Sequence, residues 1–210
     1  MGQTDPMALT ELHLADTDLE IHKLVVGPVD NNVFVLRCRH TGDAVLFDAA
    51  NEHDKLLEVA RELGVRRILE THGHWDHIQA VTQMRDAGFS VGVTAADAAM
   101  LPSYDEIVED GSIITVGDLR IRAHLTPGHT PGSMCFEVIG KPLLFSGDTL
   151  FPGGAGNATF EGGDFNAIMH SIDGLYRVLS DDTIVMPGHG DDTTVGAEKP
   201  HFDEWVERGW

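Results

Sequence analysis

Thr71-His72-Gly73-His74-Trp75-Asp76-His77 sets three imidazoles and a carboxylate within six residues, directly after the strand-like run Arg67-Ile68-Leu69-Glu70. On an extended segment alternate side chains share a direction, so His72 and His74 can offer two nitrogens to one ion. Asp76 and His77, at the turn into an expected helix, are then free to serve a second ion nearby. A helix N-terminus there would favour the charge of Asp76. So dense a cluster has little structural use, and it reads as a metal site.

Three further loops repeat the theme, each after a strand-like run: Pro127-Gly128-His129, Ser146-Gly147-Asp148 and Pro187-Gly188-His189. Glycine lets the backbone turn tightly, so that one side chain projects from the strand end. Taken singly, a His after Pro-Gly is an ordinary residue, and Gly-Asp is a turn. Together the four loops make His72, His74, Asp76, His77, His129, Asp148 and His189 the candidate metal ligands. The other histidines (His13, His22, His40, His53, His124, His170, His201) have no such context and read as ordinary.

Working outward, residues 19–27, 33–38 and 44–48 are short, apolar and β-branched, separated by Gly27-Pro28 and Thr41-Gly42-Asp43. Leu56, Leu57, Val59, Ala60 and Leu63 then fall on one helical face, with Gly64 as the stop. A second helix is expected from the His77 turn through Met84 to Gly88. A strand at 91–94 and a short helix through Ala98 to Leu101 follow. Four short strands lie between Ile113 and Phe145, then a helix over 165–179, a strand over 183–186 and a short helix within 201–210. Periodicity by itself supports only a mixed α/β class. Two similar halves of strands with interspersed helices suggest two mixed sheets packed face to face, helices outside. No linker or low-complexity stretch divides the chain, so residues 1–210 are expected to form one domain.

The formal net charge of −20 excludes some partners. Binding nucleic acid depends on Lys and Arg displacing counterions, and anionic membrane surfaces repel for the same reason. Apolar residues make up 42% of the chain, an ordinary globular content, but no apolar run approaches the length of a membrane span. Met1-Gly2-Gln3-Thr4-Asp5-Pro6 lacks the basic and apolar regions of a signal peptide. Cys38 and Cys135 sit in strand-like runs and are expected to be buried free thiols. A cytoplasmic location is expected.

The His-x-His-x-Asp-His loop, followed by Pro-Gly-His, Ser-Gly-Asp and Gly-His, resembles the metallo-β-lactamase superfamily. Thr126-Pro-Gly-His-Thr-Pro-Gly-Ser133 and Ser146-Gly-Asp-Thr-Leu-Phe151 are similar to the glyoxalase II-like hydrolases within it, and the resemblance spans residues 33–199. It implies an αββα sandwich with the metals at one edge of the sheets. It also implies that His72, His74 and His129 hold one ion and Asp76, His77 and His189 the other, with Asp148 bridging. Asp48 matches an aspartate that supports the ligand loop without touching metal.

A ligand set of nitrogen and oxygen suits two divalent ions, zinc first, with iron or manganese also compatible. The implied activity is hydrolysis of a small-molecule acyl thioester or related ester, with Asp76 and Asp148 the carboxylates at the reacting centre. Two dications supply hydroxide near neutral pH. A thiolate of pKa about 8.5 leaves with little help from an acid. Two departures weaken the match to glyoxalase II proper. Only about twenty residues follow His189, so the helical extension that helps hold glutathione is not expected. The segment 152–161 carries no cation, and Asn157 stands where Lys or Arg is common. Other activities on this fold are a persulfide dioxygenase with one iron on His72, His129 and Asp148, and an acyl-homoserine lactonase with the same seven ligands. A secreted β-lactamase, a nuclease or a non-enzymatic metal-binding module fits the residues less well.

Overall fold

Residues 10–209 are described in a computed structural model of the chain. The N-terminal stretch read above for a leader, and Trp210 at the end of the expected last helix, lie outside the described residues. One sheet has seven strands in sequential order: β1 (Glu11–Ala15), β2 (Leu19–Val26), β3 (Asn31–Cys38), β4 (Ala44–Phe47), β5 (Val65–Leu69), β6 (Ser90–Val93) and β7 (Glu106–Ile107). In the second half come β8 (Ile113–Val116), β9 (Leu119–Leu125), β10 (Met134–Val138) and β11 (Leu143–Gly147). A small hairpin of β12 (Leu150–Phe151) and β13 (Gly154–Ala155) follows, then β14 (Ile184–Pro187) and β15 (Thr193–Thr194). The second sheet runs β15-β14-β11-β10-β9-β8.

Strand alternation explains the layering. Val33 and Val35 of β3 face one core, while Phe34, Leu36 and Cys38 face another; Ala44 and Leu46 of β4 part from Val45 and Phe47 in the same way. The first of these cores packs the sheet against α1 (His53–Leu63) and α2 (Val81–Asp86), through Leu56, Val59, Ala60, Val81 and Met84. The second lies between the sheets, where Phe47 stacks on Phe145 at 4.0 Å and tilts against Phe136 at 5.3 Å. A third core sets the outer face of the second sheet against α3 (Phe165–Val178), with Ile168, Ile172 and Leu175 meeting Leu144 and Val185. Three cores between four layers make the αββα sandwich. Truncating any of the three central phenylalanines would cost about 3–5 kcal/mol.

β4, β5 and β6 run parallel, as do β11 and β14, so their C-terminal ends share one edge of the sandwich. The expected elements formed with small shifts: β2, β3 and β4, α1 with left-handed Gly64 as its cap, and α3 with Asp164 accepting from Ala167 N. Cys38 and Cys135 are buried free thiols. The expected helix between His77 and Gly88 is shorter. Gln79 N and Ala80 N donate to Ala50 O and Ala49 O, so residues 75–80 form turns against the strand-end loop and α2 starts only at Val81. Asp76 therefore has no helix dipole behind it. The marginal strands β1, β7, β12, β13 and β15, and the turn-length α4 (Val195–Glu198), were not legible from periodicity. The last helix is α5 (Phe202–Arg208). No helix among the described residues is long and apolar enough to cross a membrane.

Candidate metal centre

Two triads of donors meet at that edge. His74 Nδ1 lies 2.8 Å from His129 Nε2, which lies 3.2 Å from His72 Nε2. Beside them, Asp76 Oδ2 is 3.4 Å from His77 Nε2 and 3.3 Å from His189 Nε2. Asp148 stands between the two groups. Its Oδ2 is 3.5 Å from His129 Nε2 and 3.7 Å from His189 Nε2, and its Oδ1 is 3.6 Å from His77 Nε2. The structure thus brings all seven candidate ligands together, in the grouping the resemblance implies.

The outward nitrogens show which atoms face inward. His129 Nδ1 donates to Asn157 O at 2.7 Å, His189 Nδ1 to Val29 O at 3.0 Å and His77 Nδ1 to Asp48 Oδ2 at 2.8 Å. Thr71 Oγ1 donates to Asp48, so it accepts from His72 Nδ1 at 3.0 Å. Each of these rings turns its Nε2 into the cleft, the arrangement in which an outer partner fixes the orientation of a metal-binding histidine. His72 Nε2 and His129 Nε2, both lone pairs once the outer nitrogens carry the protons, do not hydrogen-bond one another. Two donors about 2.0–2.1 Å from a tetrahedral ion stand roughly 3.3 Å apart, close to the spacings seen. His77 Nε2 and Asp148 Oδ1 are buried with no hydrogen-bond partner. The donor set therefore fits a pair of divalent ions.

Charge divides the triads. Burial pushes His72, His74 and His129 below the ordinary imidazole range. Burial pushes His77 down too, but the carboxylates of Asp148 and Asp48 outweigh it and raise His77 to about 9. His189 also rises, since the Asp76 hydrogen bond and the Asp148 charge overcome its burial. Asp76 is held well below the usual carboxylate range: its burial is outweighed by the His189 hydrogen bond and the His77 charge.

Glycine does two different jobs here. Gly128 has φ +135°, and a Cβ would run into the backbone of Ile168 in α3. Gly188 has no such φ, but a Cβ there would collide with Asp148 Oδ1 and His77. At Gly188 closeness, rather than the tight turn expected, is what requires glycine.

Asp48, buried in the left-handed conformation at φ 64°, accepts from Thr71 N at 2.6 Å as well as from Thr71 Oγ1 and His77. It is a positioning residue rather than a strand cap. Four buried polar residues went unread in the sequence. Asp97 accepts from Gly73 N at 2.8 Å, Thr130 Oγ1 at 2.6 Å and Gly132 N at 2.8 Å, lashing the His72 loop to the His129 loop. Asn31 Nδ2 donates to Asp76 Oδ2 at 2.9 Å, and Asn32 Nδ2 holds Pro187 O and Gly190 O on either side of His189. Glu70 is pushed well above the carboxylate range by burial and by Asp48. The Asn31-Asn32 pair opening a strand was the one sequence signal among them. Asn157 differs from expectation: its side chain folds back to accept from Thr159 N and Oγ1, and its carbonyl, not its side chain, serves the site.

A cleft of about 860 Å³ opens over the donors, lined by His74, Asp76, His129, Asp148 and His189 among others. The metallo-beta-lactamase superfamily matches residues 26–189. A hydroxyacylglutathione hydrolase of Haemophilus influenzae, GloC, is 32% identical over 180 residues, covering 75% of this chain and 84% of that one. ETHE1 from Myxococcus xanthus superposes with a TM-score of 0.78 at 26% identity, covering 90% of this chain and 89% of the other. TTHA1623, solved in a di-iron-bound form, gives 0.75 at 28%, covering 84% and 96%. The chain belongs to the metallo-β-lactamase superfamily and is a metallo-hydrolase of that fold.

Proposed function

We propose that the protein is a dinuclear hydrolase of small acyl thioesters, similar in chemistry to the hydroxyacylglutathione hydrolases it resembles. The observation that carries this reading is Asp148, whose two oxygens reach toward both donor triads at once. His72, His74 and His129 would hold one ion, Asp76, His77 and His189 the second, with Asp148 shared. When bound, such a pair supplies Lewis acidity for the acyl carbonyl and a water acidified toward neutral pH. Zinc suits the donors first, and the di-iron form of TTHA1623 keeps iron in consideration.

The chain's own residues set the geometry. Asp48, Asn157 O and Val29 O fix three imidazoles by their outer nitrogens, so no ring must reorient during the reaction. Among the described residues the cleft lining includes no Lys, Arg, Tyr or Cys, hence no additional proton donor of that kind for a leaving group. A thiolate, with a pKa of about 8.5, does not need one, whereas an alkoxide does. The intact Asp76–His77–His189 triad supports two ions over the single-iron alternative.

The test is steady-state hydrolysis of S-lactoylglutathione and a short neutral thioester by metal-loaded protein. Turnover abolished by a chelator and restored by metal is expected. No thioester turnover above the chelated control rejects the reading.

A further inference from the structure

Four of the exposed large apolar side chains gather at the rim of the cleft. Val29, Trp75, Met100 and Phe160 line it, all of them large apolar side chains left open to solvent, Trp75 by 59% and Phe160 by 55%. Phe160 sets its ring edge-on to His74 at 5.5 Å between centroids, so the apolar surface begins at the donors themselves. Val29 lies on the flank of the other triad, where its carbonyl takes the His189 N–H. Apolar surface gathered around a polar centre marks a ligand-binding site. The carboxylates of the lining are Asp76, Asp148 and Glu161, beside the imidazoles of His74, His129 and His189, and no lysine or arginine is among its described residues.

Resting on the thioester reading above, we propose that this rim selects substrates that are apolar and uncharged on either side of the scissile carbonyl. The class is an acyl thioester with a chain of several methylenes, carried on a neutral thiol rather than on glutathione. An alkyl chain would cover Trp75, Met100 and Phe160, removing from water both its own surface and theirs. The carboxylates of glutathione would meet Glu161 and no cation at the rim, so their desolvation would go uncompensated. Asn157 does not repair this, because its side chain is folded into its own loop.

Binding of non-hydrolysable thioethers to the metal-loaded protein, measured by titration calorimetry, tests the selection apart from catalysis. The probes are ethyl, butyl, hexyl and octyl thioethers of N-acetylcysteamine and the matching S-alkyl glutathiones. Affinity in the neutral series is expected to rise roughly 3–4-fold per methylene, the fold-change equivalent to ~0.8 kcal/mol per buried CH₂. The neutral octyl compound is expected to bind at least about tenfold tighter than S-octylglutathione, a gap of ~1.4 kcal/mol. Phe160→Ala and Trp75→Ala, both at exposed positions, should each flatten the chain-length slope, with the metal content of Phe160→Ala unchanged. Affinity independent of chain length, equal or tighter binding of the glutathione series, or an unchanged slope in both variants would overturn the proposal. Turnover assays on the corresponding thioesters judge the chemistry separately. The expected binding pattern without any turnover would reject the hydrolase reading and keep the selection.

Discussion

The two donor triads lie side by side yet are held by different means. His72 and His129 are fixed by a hydroxyl and a peptide carbonyl, and their triad is all imidazole, pushed down by burial toward the neutral form. Asp76, His77 and His189 are fixed by the Asn31 amide, the Asp48 carboxylate and the Val29 carbonyl, and both their imidazoles are pushed up. The first triad presents bare lone pairs at neutral pH, whereas His77 in the second, raised to about 9, holds a proton that a cation must displace. Similar side chains become unlike sites because Asp48 and Asp76 make their ion-pair contacts with the second triad, whereas Asp148 lies between the two.

Removing the element common to both triads should have the largest effect. Asp148→Ala is expected to lose paired occupancy and to cut kcat/KM by more than about 100-fold, above the 10–100-fold typical of outer partners. Circular dichroism should show the fold retained. Full two-ion content in this variant, measured by elemental analysis, would refute the shared role.

The next two substitutions pull the triads apart. Asp48→Asn keeps the size of the side chain and a residue type tolerant of left-handed backbone, but loses the charge behind His77. A weakening of roughly 10–100-fold is expected for the second ion, with a smaller loss at the first through Thr71 and His72. Two-phase calorimetric titration resolves the pair, and equal weakening of both phases would erase the distinction. Asp97→Asn works on the other side, placing an NH₂ against an N–H or hydroxyl that now donates to a carboxylate oxygen. A buried donor left unmatched costs about 1–3 kcal/mol, read as a lowered Tm, and the weakening should fall mainly on the first ion.

The smallest effect is a proton count. His77, raised to about 9, is charged in the metal-free protein at pH 7 and must give up its Nε2 proton to bind. Affinity for the second ion should therefore climb with pH and level off as pH passes about 9, while the first ion, on lowered imidazoles, shows little such climb near neutrality. Calorimetry in buffers of differing ionisation enthalpy measures the release. Equal release for both ions would contradict the contrast.

The candidate donors were legible in sequence because each sits in a local motif: His72, His74, His129, Asp148 and His189 beside a glycine after a strand, and Asp76 and His77 within the same dense loop. The two-layered sheets followed from apolar runs such as that of β3. What holds the donors was mostly illegible. Asp97, Asn31 and Asn32 act across separations of 24–158 residues, and only the folded chain shows the backbone groups they satisfy. Asp48 was visible only through family resemblance, since its left-handed backbone leaves no mark on composition. The helix expected after His77 came out short for a related reason. Backbone amides at Gln79 and Ala80 were claimed by a distant loop, which no periodicity records.

The paired centre itself is tested most directly by metal content. Protein stripped with chelator, reloaded with zinc or ferrous iron and freed of excess ion should carry two ions per chain. The second should be lost first as pH falls. One ion per chain under every loading condition, with the Asp76–His77–His189 triad empty, would contradict the account.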